Sequence, residues 1–140
     1  FHFTKGIFKI IKYFNRNNYH VFIVTNQSGI GRGYYTERKL LKLHDWMQNE
    51  FKKNNIRIDE IFYSPYYKYS KNYSSRFYFN LRKPNIGMFK QATKRWNIDK
   101  KKLLMIGDKE VDFEFGRKIK AKTIIVKENL NMYKQVKKFL

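Results

Sequence analysis

The chain is 140 residues long and 42% hydrophobic, and its 31 Lys plus Arg against 11 Asp plus Glu give a formal charge of +20. That length supports one domain with a real core and crowds out two. The absence of cysteine excludes disulfides and thiolate zinc sites, and no apolar run approaches the roughly 18 residues of a membrane span. The basic residues are spread along the whole chain among abundant Asn, Ile, Tyr and Phe, so the charge reads as biased residue usage. Nucleic-acid binding is not expected; a lysine-rich surface suits a small anionic substrate. The opening Phe1-His2-Phe3-Thr4-Lys5-Gly6 lacks the pattern of a signal peptide, and a cytoplasmic monomer is the default expectation.

In chain order, Ile7, Ile10, Ile11 and Phe14 predict a helix over Thr4 to Arg16, ended by Asn15-Arg16-Asn17-Asn18. Tyr19 to Val24 is a short run rich in β-branched and aromatic residues and predicts a buried strand. Asn26 to Tyr35 holds Gly29, Gly31 and Gly33 and predicts a loop. Thr36 caps a helix expected to run to about Asn54, with Leu40, Leu43, Met47 and Phe51 on one face. Ile58 to Tyr63 predicts a second strand. Ser64 to Leu81, polar and tyrosine-rich without periodicity, predicts a surface excursion. A helix over Gly87 to Trp96, a strand over Leu103 to Ile106, a helix over Glu110 to Lys120, a strand over Thr123 to Val126 and a terminal helix over Asn131 to Leu140 complete the pattern. Strands separated by helices require crossover connections, hence an α/β fold with a parallel sheet covered on both faces.

Two distant clusters carry the chemistry. One is Val24-Thr25-Asn26-Gln27-Ser28-Gly29; the other is Arg82-Lys83-Pro84 with Ile106-Gly107-Asp108-Lys109-Glu110-Val111-Asp112. In an open parallel sheet ligands sit at the carboxyl ends of the strands, and Thr25 and Asp108 each fall just beyond a predicted strand. The Thr25 hydroxyl and the amides of the glycine loop can donate to phosphate oxygens. Lys83 can neutralise a phosphoryl group in transfer, and Asp108 offers a hard oxygen to Mg²⁺. Asp112, one helical turn further on, can share the cation or orient Lys109. Each part has a plainer reading: Thr25 as a turn residue, Arg82-Lys83 as exposed charge, Asp108 as a helix cap, His44 and Tyr66, Tyr67, Tyr69 and Tyr73 as surface or packing residues.

As an ordered set, these motifs resemble the haloacid dehalogenase (HAD) superfamily of phosphatases. The likeness is to the branch holding D-glycero-D-manno-heptose 1,7-bisphosphate phosphatase and histidinol-phosphatase. Val24 to Tyr34 resembles that family's second motif, Arg82-Lys83-Pro84 with Gly87-Met88 its third, and Gly107-Asp108-Lys109 with Asp112 its fourth. The resemblance implies a HAD-like Rossmannoid three-layer sandwich and a Mg²⁺-dependent reaction in which an aspartate attacks phosphorus and water hydrolyses the aspartyl-phosphate. It also implies roles for single residues. Thr25, Asn26, Gln27 and Ser28 would bind substrate phosphate, with Thr25 and Lys83 stabilising the phosphoryl group. Arg82 and Lys109 would contact substrate, and Asp108 would bind Mg²⁺.

Two departures qualify the resemblance. No Asp-x-Asp pair occurs anywhere, so the family's first motif and first strand are expected to lie upstream of Phe1, and residues 1–140 to form one N-terminally truncated domain. Heptose bisphosphate phosphatases of the common type hold a zinc before the third motif. The matching positions here, Ser64, Tyr66, Phe79 and Leu81, cannot ligate zinc, so no zinc is expected, and the excursion is expected either to be held by aromatic packing of Tyr66, Phe77 and Phe79 or to stay mobile. The leading functional expectation is a phosphatase acting on a small phosphorylated sugar, for surface polysaccharide. Histidinol-phosphatase, a nucleic-acid 3′-phosphatase and an inactive binding domain are the alternatives.

Overall fold

The computed structural model describes residues 1–140. Helix α1 (Ile7–Arg16) buries Ile10, Ile11 and Phe14 and stops where Asn18 turns left-handed at φ 63°. That turn delays the first strand. β1 is Phe22–Asn26, not Tyr19–Val24, so Thr25 and Asn26 lie inside the strand, paired with Tyr63 and Ser64 of β2 (Glu60–Ser64). The glycine segment expected to be all loop contains a helical turn, α2 (Ser28–Gly31), whose Arg32 amide donates to the Ser28 carbonyl. α3 (Glu37–Lys53) begins where Thr36 Oγ1 accepts the Lys39 amide at 3.1 Å.

The excursion also carries an unpredicted helix, α4 (Arg76–Leu81), which turns Leu81 into the core. α5 (Gly87–Arg95), β3 (Leu104–Gly107), α6 (Glu110–Lys118), β4 (Lys122–Ile125) and α7 (Met132–Lys137) follow close to their expected positions.

Side-chain alternation on the strands builds three layers. Ile23, Ile61, Leu104, Ile106 and Ile124 face the larger core, shared with Ile10, Phe14, Met47, Phe51 and Val136 of α1, α3 and α7. On the other side Phe62 packs with Leu81, Met88 and Ala92 of α4 and α5, backed by Phe22 and Val24. α6 covers β3 and β4 from that same side; a methyl on Gly116 would meet Thr123 and Met105, so only glycine lets the helix approach so closely.

The strands are parallel as expected, but they form two separate two-stranded sheets, β1–β2 and β3–β4. No backbone ladder joins β1 to β3. A side chain makes that link instead.

Candidate active site

Lys83 joins the two halves. It follows α4, and the Asn26 side chain at the end of β1 pins its main chain: Nδ2 donates to the Lys83 carbonyl at 3.1 Å and Oδ1 accepts the Lys83 amide at 2.9 Å. Asn26, expected on substrate phosphate, thus acts as a two-pronged strap to a residue 57 positions away in sequence. An amide side chain offers a donor and an acceptor side by side, which matches the C=O and N–H of one residue when both point the same way.

The Lys83 ammonium then reaches across the gap. It donates to the Val24 carbonyl of β1 at 2.9 Å and to Asp112 Oδ1 in α6 at 2.6 Å. Both partners are buried, with Lys83 9% and Asp112 5% exposed. The other Asp112 oxygen accepts the backbone amides of Asp108 and Lys109 at 3.1 and 3.2 Å. Burial pushes the Asp112 carboxyl up, but the Lys83 hydrogen bond and charge, with the two amides, outweigh it and hold the group below the usual aspartate range. Of the two uses foreseen for Asp112, the geometry favours orientation: it fixes the turn at Lys109 through its amide and anchors Lys83, with both oxygens engaged.

Around this pair lie the remaining sequence-selected residues. Thr25 Oγ1 accepts from Gln27 Nε2 at 3.0 Å, and Gln27 Oε1 accepts the Tyr35 hydroxyl. The Gln27 amide donates to the Ser64 carbonyl at 2.7 Å, tying this loop to β2. A side chain at Gly29 would overlap the Tyr35 ring. Ser28 opens α2, and Arg82 precedes the pinned lysine. Asp108 and Lys109 are exposed at the end of β3, and their side chains form no ion pair within the chain.

No group of three or more His, Cys, Asp or Glu side chains is gathered in the fold. The donor set suits Mg²⁺ all the same, since Mg²⁺ keeps several waters and is commonly held by one or two carboxylates plus substrate phosphate. Asp108 offers one such carboxylate, unspent on any lysine or arginine.

The sequence reading missed the Val24 carbonyl, which no side-chain motif announces, and the partnership of Gln27 with Tyr35. It also missed Glu37, whose two oxygens accept the Tyr63 and Tyr73 hydroxyls. In the excursion, Tyr66 and Phe79 do pack edge to face at 5.2 Å, and Phe77 meets Tyr78 at 5.2 Å. Phe77 and Phe79 remain largely exposed, so hydrogen bonds carry more of the anchoring than aromatic packing does.

A family model described as HAD-hydrolase-like matches residues 80–139. The chain is 39% identical over 126 residues to a D-glycero-α-D-manno-heptose-1,7-bisphosphate 7-phosphatase of Campylobacter jejuni, covering 90% of this chain and 68% of that protein. It is 36% identical over 120 residues to the Photorhabdus laumondii protein of the same name, covering 84% and 64%. It thus spans about two thirds of the length of these relatives. A HAD-like phosphatase structure from Mesorhizobium loti superposes with a TM-score of 0.74 at 26% identity, over 85% of this chain and 56% of that one. The D,D-heptose 1,7-bisphosphate phosphatase of B. bronchiseptica, solved with magnesium and phosphate, shares the fold with a TM-score of 0.73 at 23% identity, over 95% and 70%. With that identity and that fold, the chain belongs to the haloacid dehalogenase superfamily of phosphatases, in its heptose bisphosphate phosphatase branch.

Proposed function

We propose that this chain is the phosphate-binding and lysine-bearing part of a Mg²⁺-dependent phosphatase acting on a sugar phosphate, D-glycero-D-manno-heptose 1,7-bisphosphate above all. The observation that carries the reading is the Lys83 ammonium, buried between the Val24 carbonyl and Asp112 at the carboxyl end of β1. An ammonium has three protons, and two are spent here; the third can donate to a phosphoryl oxygen. Asp112 and the Val24 carbonyl fix the position of the lysine, so charge developing on the phosphoryl oxygens meets a cation already in place. The Thr25 hydroxyl, steered by Gln27, and the amides opening α2 would take up further oxygens of the phosphate.

Asp108 would hold Mg²⁺, which when bound draws charge from the phosphoryl oxygens and aligns them. The attacking carboxylate is not among these residues, because the chain has no Asp-x-Asp pair. In the proposed reaction an aspartate from a further segment forms the bond to phosphorus while the sugar oxygen leaves, taking a proton from a second aspartate. Water then cleaves the acyl-phosphate, giving up a proton to that second aspartate.

The test uses two proteins. The 140 residues alone, with Mg²⁺, should release no phosphate from heptose bisphosphate; clear Mg²⁺-dependent release would contradict the division of labour. A longer protein that carries the aspartate pair should be active, and Lys83→Ala in it should lower kcat by roughly two orders of magnitude or more. An unchanged rate in that variant would remove Lys83 from the mechanism.

A further inference from the structure

The excursion from Ser64 to Leu81 is rooted in the site at both ends. Its first carbonyl takes the Gln27 amide, and its last residue immediately precedes Arg82 and Lys83. Beyond Ser64, the last residue of β2, α4 is its one regular element, so side chains and a few turn hydrogen bonds fix its pose. Ser64, fully buried, ties the two ends together: its Oγ donates to the Tyr78 carbonyl at 3.2 Å and accepts the Tyr66 amide at 3.4 Å. The middle is held from outside. Glu37 Oε1 accepts the Tyr73 hydroxyl at 3.3 Å, Oε2 accepts the Tyr63 hydroxyl, and the Tyr73 ring packs on Tyr78 at 5.2 Å.

Glu37 is suited to that task. It is the first residue of α3, where the helix terminus favours a carboxylate, and it pairs with no lysine or arginine that would compete for its oxygens. Next to this anchor the excursion meets the rim of the phosphate loop. Tyr67 packs so closely on Gly31 that a methyl there would come within 2.7 Å of its Cβ, and the Arg32 guanidinium lies over its ring at 4.3 Å. Arg32, one turn beyond Ser28 and free of any acidic partner, is the cation that this contact holds at the rim.

We propose that Glu37 is a positioning residue: by taking one tyrosine hydroxyl on each oxygen it clamps the excursion to α3, and so sets Tyr67 and Arg32 where they select substrates bearing a second anionic group. The selectivity part rests on the phosphatase reading above; the clamp does not. Tyr63 and Tyr73 stay protonated well above neutrality, because burial and the Glu37 carboxylate both disfavour the tyrosinates, so the clamp is intact at working pH.

The test has two arms, each on the full-length protein that carries these residues. In the first, limited chymotrypsin digestion reads cleavage between Tyr66 and Tyr73. Glu37→Ala should speed it roughly tenfold or more, the scale of losing hydrogen bonds to a charged group, and Tyr73→Phe, which keeps the ring, should speed it less. In the second, KM for heptose bisphosphate should rise roughly tenfold in Glu37→Ala while KM for a small aryl phosphate, and kcat for both, stay within about twofold. Unchanged cleavage overturns the clamp. An equal rise in both KM values, or a fall in kcat for both substrates, overturns the selectivity role. If the unmodified protein releases phosphate from neither ester, the phosphatase reading fails, and the cleavage arm alone decides the clamp.

Discussion

Replacing Asp112 by alanine strands a buried ammonium. Lys83 is 9% exposed and would keep only the Val24 carbonyl, so solvent screening gives little relief. Breaking a buried ion pair from one side costs about 3–5 kcal/mol, and two backbone amides at the start of α6 lose their acceptor as well, worth about 1 kcal/mol. A total of about 4–6 kcal/mol is a large part of the about 5–15 kcal/mol that a domain possesses. At an unfolding entropy of roughly 0.3 kcal/mol/K for a chain of this size, Tm should fall by about 13–20 °C. Thermal and urea unfolding followed by circular dichroism measure it.

The double variant Lys83→Met/Asp112→Leu removes both charges and should be more stable than the sum of the single changes by at least about 2 kcal/mol. The acid limb gives an independent check. The folded Asp112 carboxyl is depressed, whereas the unfolded one takes its proton near pH 3.9. Its contribution is therefore complete above about pH 5 and lost as pH falls through the lower, folded value, and the gap between the native protein and Asp112→Ala should close over that range. A Tm loss below about 3 °C, the scale of a surface pair, would refute the claim that this pair bridges the two sheets.

Other outcomes follow from the same geometry. Gly107→Ala would press a methyl on the Asp112 Cγ and Oδ2, both 2.5 Å away; a loss of about 1–3 kcal/mol in urea unfolding is expected, and a neutral result would show that Asp112 can move. Asn26→Ala leaves the Lys83 amide and carbonyl unpaired and should cost about 2 kcal/mol, with Asn26→Asp restoring the acceptor half of the strap; equal losses in the two variants would count against it. Tyr63 and Tyr73 both ionise later folded than unfolded, so stability should decline as pH rises above about 10, and Tyr63→Phe should flatten that limb. His44, buried and held below its usual range by desolvation, gives the opposite sign: stability falls as pH drops below about 6.5, and the His44→Gln variant should lack that slope.

Local sequence was enough for α1, α3, α5, α6 and α7 and for the parallel strands, though not for the short helices α2 and α4. Hydrophobic spacing in α1 and α3, the Thr36 cap and the β-branched runs are short-range signals, and they fix local backbone choices without knowledge of the rest of the chain. The strand boundary at Thr25 and Asn26 was not legible in that way. Those residues are extended because Tyr63 and Ser64 lie opposite them, and pairing between segments nearly forty residues apart has no local signature.

Tertiary structure alone decided what the polar side chains do. Asn26 became a strap and Asp112 an anchor for Lys83, while Glu37 became a clamp; each role depends on which donor or acceptor the fold brings within about 3 Å. Hydrophobic burial is set by how often apolar residues recur, which a sequence displays. A hydrogen bond is set by distance and direction, and these exist only once the chain has closed on itself.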